Sequence, residues 1–186
     1  MKREAAVVIG VFTLISGCTG SQRVVLPEAD FEDVTAVHQN TRSSIAPGWT
    51  WCDGLSPVYR MQAPERGTSL ELGGEATVGA TILDLSSRGI DADAQIDQFV
   101  SSADLCSTLV EVGQTISSID AADSRVVAWR TRDSGGHWGE FAVMPLDDAR
   151  VLAVGFVTDQ EDPPADLDDL IRLAEQGARQ VLGEEG

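Results

Sequence analysis

The sequence has almost no lysine. Lys2 is the only lysine among 13 basic residues, which face 30 acidic residues and leave a formal net charge of −17. A polyanion without a basic stripe repels phosphate, which excludes nucleic acid as a partner. Anionic lipid head groups repel it as well, so any attachment to a membrane has to be apolar or covalent.

Metal-binding residue types are also scarce. The chain has two histidines and three cysteines, and no CxxC pair. Without a CxxC pair, and with only His38 and His137 as histidines, the sequence offers little to a four-ligand zinc site, and we expect neither a metal nor a cofactor. The hydrophobic share of 42% is nevertheless enough for a real core, and it excludes a disordered chain.

No apolar run is long enough to span a bilayer. The longest, at 5–15, is almost wholly apolar and follows Lys2 and Arg3. A short positive segment and an apolar stretch of this length are typical of a secretory signal peptide. Two small residues and Cys18 come next.

The segment Leu14-Ile15-Ser16-Gly17-Cys18 resembles the lipobox of bacterial lipoproteins. In that family the cysteine carries a thioether-linked diacylglycerol, and the signal peptidase cuts just before it. The resemblance implies a signal peptide at 1–17 and a lipid-anchored protein on the extracytoplasmic side of the cell membrane, held by a diacylglyceryl group on Cys18. Two acyl chains suffice for stable attachment, at ~0.8 kcal/mol per buried methylene. The alternatives are an ordinary secretory signal with an incidental cysteine and a single-span anchor.

Processing before Cys18 would remove the only lysine. The remaining 169 residues carry 11 arginines and 29 acidic residues, for a formal charge of −18. Two other cysteines stay, Cys52 and Cys106, and a compartment outside the membrane permits disulfides. We predict that they form a bridge, which would stabilise the fold by roughly 4 kcal/mol on the chain-entropy estimate. Two free or metal-bound thiols are the alternative.

Composition changes near residue 47. Residues 18–46 are polar and acidic, and we interpret them as the lipidated N-terminus and a flexible tether. Residues 47–186 concentrate the apolar mass and are predicted to form a single domain.

The pattern of this domain predicts the α+β class. Segments at 70–72 and 77–85 favour a strand, a turn and a second strand. Asp91 is a good N-cap for a helix that runs into Cys106, and 108–119 is predicted to be extended. Segments at 125–132, 137–144 and 150–158 predict a three-strand antiparallel meander. An amphipathic helix is predicted from Pro163 onward, so the expected architecture is an antiparallel sheet packed against two amphipathic helices.

This layout resembles the small actinobacterial lipoproteins. A lipobox, an acidic tether, two cysteines, a Val-rich meander with a tryptophan and a closing amphipathic helix are similar to the extracellular sensor (PknH-like) domains of receptor serine/threonine kinases and their free lipoprotein relatives. Arginine without lysine is typical of a high-GC genome of that kind. The resemblance implies a non-catalytic sensor-type domain that binds a small ligand or an envelope protein partner.

The candidate ligand residues lie around one predicted turn. Trp129 and Trp138 are equally far from the centre of the segment 133–134, so we expect them to be cross-strand neighbours. They belong either to the core or to the aromatic wall of a cleft, with Arg130 and Arg132 nearby for an anionic group. Both arginines share the face opposite Trp129, which argues against one common site.

The same turn offers the only nucleophile worth weighing. Asp133-Ser134-Gly135-Gly136 matches the residues around the nucleophile of chymotrypsin-like proteases, but Arg132 and His137 flank it where that family has Gly and Pro. A small envelope hydrolase that uses Ser134 and His137, or a carboxylate, is the alternative function. We expect no catalytic site, because no His, Ser and Asp stand at catalytic spacing.

Overall fold

A seven-stranded antiparallel sheet forms the centre of the computed structural model, which describes residues 23–44, 66–84, 86–108 and 113–183. Within these ranges the helices are α1 (Ala92–Ser107) and α2 (Leu167–Leu182). The strands are β1 (Val34–Gln39), β2 (Gly67–Leu72), β3 (Ala76–Asp84), β4 (Gln114–Ile119), β5 (Val127–Asp133), β6 (Trp138–Pro145) and β7 (Arg150–Thr158).

The strand order is β1-β2-β3-β7-β6-β5-β4, so two meanders meet where β3 pairs with β7. The α+β class is confirmed. The three-strand meander proved too small, because its strands β5, β6 and β7 continue into β4 on one side and into β1–β3 on the other. Strand β4 lies within the segment 108–119 that was predicted to be extended. The pairing of β3 with β7 joins distant segments, and no local pattern would have predicted it.

The two helices cover opposite faces of the sheet. Successive side chains of a strand point to opposite faces, so Val151 and Ala153 of β7 pack in the cluster that contains α1. Leu152, Val154 and Phe156 pack in the cluster that contains α2. The almost continuous apolar run of β7 follows from this, since a strand that is covered on both faces has no polar side.

Each helix begins at an aspartate. The Asp91 carboxylate accepts a hydrogen bond from the Ala94 amide at 2.8 Å, which confirms the predicted N-cap of α1. Asp166 does the same for α2, where it accepts from the amides of Asp168 and Asp169. The predicted start of α2 at Pro163 was therefore too early, because the side chain that satisfies the first free amides lies at position 166.

The N-terminal segment is part of the fold. Val25 and Leu26 are only 2% and 0% exposed, and residues 34–39 form the edge strand β1. The prediction of a flexible tether is thus wrong for residues 23–44. A β-bulge between Val34 and Ala36 breaks the alternation that would have marked β1 as a strand in the sequence. The boundary at 47 and residues 18–22 lie outside the described residues.

Cys106 is buried at the end of α1, in the cluster between that helix and the sheet. Its predicted partner Cys52 lies outside the described residues, as does Cys18. The disulfide and the lipid attachment therefore stay predictions. No helix in the described part of the chain is both long and apolar enough to cross a membrane.

Asp147 organises the turn between β6 and β7. Partial burial raises the pKa of its carboxyl, but hydrogen bonds from Arg150 and from the Ala149 amide outweigh that effect and leave the pKa below its ordinary value. A depressed pKa stabilises the fold above the ordinary value and ceases to do so as the pH falls through the lowered one. The hairpin that carries Trp138 is thus held by a carboxylate that stays ionised at neutral pH.

The docking of the N-terminal segment on α2 can be tested at Gly177. A Cβ at this position would lie 2.1 Å from the carbonyl oxygen of Val25. Alanine at an ordinary helical position would stabilise the protein by up to about 1 kcal/mol. We expect Gly177→Ala to destabilise it instead, by about 1–3 kcal/mol, in urea unfolding. The exposed neighbour Gln176 supplies the control, since Gln176→Ala should have almost no effect; a more stable Gly177→Ala protein would contradict the docking.

Candidate functional site

The register of the β5–β6 hairpin places the candidate residues. The Asp133 amide donates to the carbonyl of His137, and the Asp133 carboxylate accepts from the amides of Gly135 and His137. The loop therefore consists of residues 134–136, and Gly136 adopts a positive φ of 98° that favours glycine. As a result Arg132 pairs with Trp138.

Trp129 and Trp138 are not neighbours. The turn was predicted to be centred between residues 133 and 134. The loop is centred on Gly135, so Trp129 pairs with Phe141 instead. Trp129 is 2% exposed and stacks on the Phe141 ring at 5.1 Å, on the face that α1 covers. Of the two alternatives left open for Trp129, the core is the right one, and its listing as a possible ligand residue was wrong.

Trp138, Arg130 and Arg132 share the other face. Because Arg132 pairs with Trp138 and alternation places Arg130 beside them, all three line one open groove of about 690 Å³. The expectation that the tryptophan and the arginines belong to separate features is therefore wrong for Trp138. The lining residues come from β4, β5, the β5–β6 loop, β6 and the segment after β7: Thr115, Ser117, Arg130, Thr131, Arg132, Gly136, Trp138, Asp159, Gln160 and Glu161.

Arg130 is held by a carboxylate of the neighbouring strand β6. Its Nε donates to Glu140 Oε1 at 2.8 Å, and its NH2 group donates to the same oxygen. The Glu140 side chain is 11% exposed, whereas that of Arg130 is 56% exposed. The guanidinium also lies 5.8 Å from the centre of the Trp138 ring, within the range of a cation–π contact. The guanidinium of Arg130 is thus already engaged by Glu140 and Trp138.

The Trp138 ring forms a fixed wall. Its Nε1 donates to the carbonyl of Gln160 at 2.6 Å, and its ring meets Phe156 edge-on at 5.4 Å. Gln160 in turn donates to the carbonyl of Gly74 in the β2–β3 turn. The segment that closes one side of the groove is therefore tied to both meanders.

The guanidinium of Arg132 makes no comparable contact with the described residues. It is exposed, and within the described ranges no hydrogen-bond or ion-pair partner contacts its guanidinium. Thr115 and Ser117, opposite Arg132 and Arg130 on β4, add hydroxyl groups to the same side of the groove. Asp159 and Glu161 add carboxylates on the other side. The groove thus combines one available cation, an aromatic wall, hydroxyls and two carboxylates.

Ser134 and His137 do not form a nucleophile–base pair. His137 Nδ1 lies 3.2 Å from Asp133 Oδ2, so an acid–histidine contact exists. Ser134 is exposed in the loop, and no hydrogen bond in the described structure joins it to the His137 ring. The Asp133 carboxylate also accepts the two backbone bonds of the turn, which explains its place there without catalysis.

The sequence had not singled out Glu140, which pairs with Arg130, or Gln160, which lines the groove. Glu140 lies in an otherwise apolar strand, and that isolated charge opposite Arg130 was the available signal. Gln160 gave no signal, because its contacts depend on how the two meanders meet. Elsewhere in the described ranges, no three His, Cys, Asp or Glu side chains are grouped as a metal ion would require.

Comparison of the sequence with models of known protein families and with curated proteins found no match. The function has to be argued from the groove and from the sequence itself.

The two arginines of the groove are expected to differ in their effect on stability. Arg130→Met leaves the Glu140 carboxylate buried without its partner, so we expect a loss of about 1–3 kcal/mol in urea unfolding at neutral pH. Arg132→Met removes an exposed cation without a partner and should stay within about 0.5 kcal/mol of wild type. Adding Glu140→Gln to Arg130→Met should restore part of the loss. Equal effects of the two Met variants would contradict the assigned roles.

Proposed function

We propose that this protein is a lipid-anchored lipoprotein of the bacterial cell surface whose α+β domain binds a small ligand in the groove beside Trp138. The observation that carries the binding role is the juxtaposition of a fixed aromatic wall with Arg132, a cation that no described residue neutralises. Ligand pockets typically combine an apolar wall with a few polar groups, in volumes of roughly 300–1,000 Å³. The anchor is supported by the lipobox-like segment that ends at Cys18.

The groove favours one class of ligand. Arg132 suits a single carboxylate or phosphate group, and a ring placed beside it can contact Trp138. Asp159 and Glu161 on the opposite side repel a second negative charge and accept hydrogen bonds from hydroxyl groups. A ring compound with one anionic group and several hydroxyls fits this arrangement, and its binding would serve a sensor-type, non-catalytic role.

The anchor is tested by Cys18→Ser. A lipobox cysteine is the only point of covalent lipid attachment, so we expect the variant to leave the membrane fraction and appear in the soluble extracytoplasmic fraction. Immunoblots of fractionated cells measure this, with Ser16→Ala, which keeps a small residue before the cysteine, as the control. Retention in the membrane of a Cys18→Ser protein from which residues 1–17 have been removed would contradict the lipoprotein assignment.

The groove is tested by ligand-dependent melting. Glucuronate and glucose form a matched pair of probes, since they differ in one carboxylate. A ligand at a hundred times its Kd stabilises by about 2.7 kcal/mol, which corresponds to a Tm increase of roughly 5–10 °C for a protein of this size. We expect such an increase with glucuronate and not with glucose.

The matched variants are Arg132→Met and Arg172→Met. Arg132→Met should abolish the increase with glucuronate. Arg172→Met should retain it, because Arg172 is an exposed residue of α2 that pairs with Asp169 outside the groove. Equal responses to both sugars, or an unchanged response in Arg132→Met, would contradict the proposed site.

The hydrolase alternative has one observation in its favour, the contact between His137 and Asp133. An ester or glycan hydrolase activity that vanishes in both Ser134→Ala and His137→Ala would support it. The absence of a bond between Ser134 and His137 in the described structure favours the binding role.

A further inference from the structure

A second cavity lies where the N-terminal segment meets the β1–β2 edge of the sheet and the end of α2. It has a volume of about 180 Å³. Its lining residues are Arg23, Val24, Val25, Gln39, Asn40, Arg66, Gly67, Thr68 and Val181. In a chain with 30 acidic residues, these lining residues include two cations and no carboxylate.

The two arginines are positioned by the end of α2. Arg23 donates to the carbonyl of Gln180 at 3.1 Å, and Arg66 donates to the carbonyl of Val181 at 2.7 Å. A guanidinium has five N–H donors, so the bond from Arg66 occupies only a small part of its capacity. Gln39, Asn40 and Thr68 add neutral polar groups. A cavity of this size with two guanidinium groups and neutral polar neighbours suits a phosphate group.

The position of the cavity in the chain ties it to the anchor. Arg23 comes five residues after Cys18. An extended chain covers at most 3.3–3.6 Å per residue, so Arg23 can lie no more than about 18 Å from the lipid attachment. The tether of residues 18–46 expected from the sequence would have allowed a separation of about 100 Å. Because Val25 and Leu26 are buried in the domain, that freedom is absent.

The groove beside Trp138 lies well away from this surface. Across the sheet, β2, which carries Thr68, is separated from β5 by four strand spacings, or about 19 Å. Along the strand direction, Trp138 of β6 lies about four residues from Ala142, the β6 residue that is level with Thr68. The two sites are thus roughly 20 Å apart. The groove is therefore separate from the surface around Arg23.

We infer that Arg23 and Arg66 bind the phosphate of an anionic phospholipid head group and so orient the anchored domain on its membrane. This inference rests on the lipid anchor proposed at Cys18. The formal charge of −18 repels an anionic bilayer as a whole, and a local pair of arginines lets one surface approach it. The cavity then faces the membrane, and the groove lies roughly 20 Å from this contact.

Arginine modification tests the orientation. The full-length protein is isolated from the membrane fraction and placed in vesicles of phosphatidylglycerol and phosphatidylcholine, or of phosphatidylcholine alone. Phenylglyoxal modification is then followed by peptide mass spectrometry. We expect Arg23 and Arg66 to react about fivefold more slowly in the vesicles with phosphatidylglycerol. Arg132 in the distant groove should react equally in both, which makes it the internal control.

Two variants sharpen the test. Arg66→Gln should remove the protection of Arg23 that depends on phosphatidylglycerol. Arg88→Gln makes the same charge change at an exposed residue outside the cavity and should leave that protection intact. The comparison of vesicles on the wild-type protein needs no variant, so it holds even if Arg66→Gln fails to fold.

The outcomes separate the two proposals. A protein that never reaches the membrane fraction overturns both the anchor and this inference. A membrane-bound protein whose Arg23 and Arg66 react equally in the two kinds of vesicle overturns the inference and leaves the anchor in place. If inorganic phosphate protects these arginines in the unanchored Cys18→Ser protein as well as phosphatidylglycerol does in the anchored one, the cavity is a site for free phosphate and the lipid assignment is wrong.

Discussion

The pairing of β3 with β7 is the contact on which the rest of this structure depends. It joins two meanders that are distant in sequence through eight residue pairs, from Thr77 with Val157 to Asp84 with Arg150. At its centre Gly79 faces Gly155, and a Cβ on Gly155 would lie 2.7 Å from the Cβ of Phe141. The space left by glycine allows the Phe141 and Trp129 rings to stack beneath α1. One long-range pairing thus creates a single sheet with an apolar face on each side.

The groove follows from the part of this sheet that α2 leaves uncovered. The helix packs on the apolar residues of β6 and β7. The part of the sheet that contains Arg130 and Trp138 lies beyond the helix. Gln160 then bonds to Trp138 with its backbone and to the β2–β3 turn with its side chain. The groove is therefore bounded by elements of both meanders, and its shape depends on their junction. Its open cation, Arg132, lies on strand β5, which the sheet holds rigidly.

The docked N-terminal segment changes the physical meaning of the net charge. A polyanion on a long tether is held away from an anionic surface by repulsion that is screened beyond roughly 8–10 Å. Because Val25 and Leu26 are buried in the domain, Arg23 is confined within about two such lengths of the proposed anchor, so local charges matter more than the total charge. Arg23 and Arg66 are the charged residues among the described residues that line the cavity.

Local sequence determined the elements with a short-range cause. Strand β7 was predicted with its observed bounds, and α1 with its observed cap, because an apolar strand between turns and an aspartate before a helical stripe are both legible within a dozen residues. Composition and the first 18 residues also carry the prediction of a lipoprotein. The tertiary structure alone decided the register that separates Trp129 from Trp138, the seven-strand order and the docking of Val25 on α2. Each of these depends on contacts between distant segments or on a one-residue difference in a loop. The free energy of such contacts is not reflected in the local pattern of residues, so the sequence alone could not predict them.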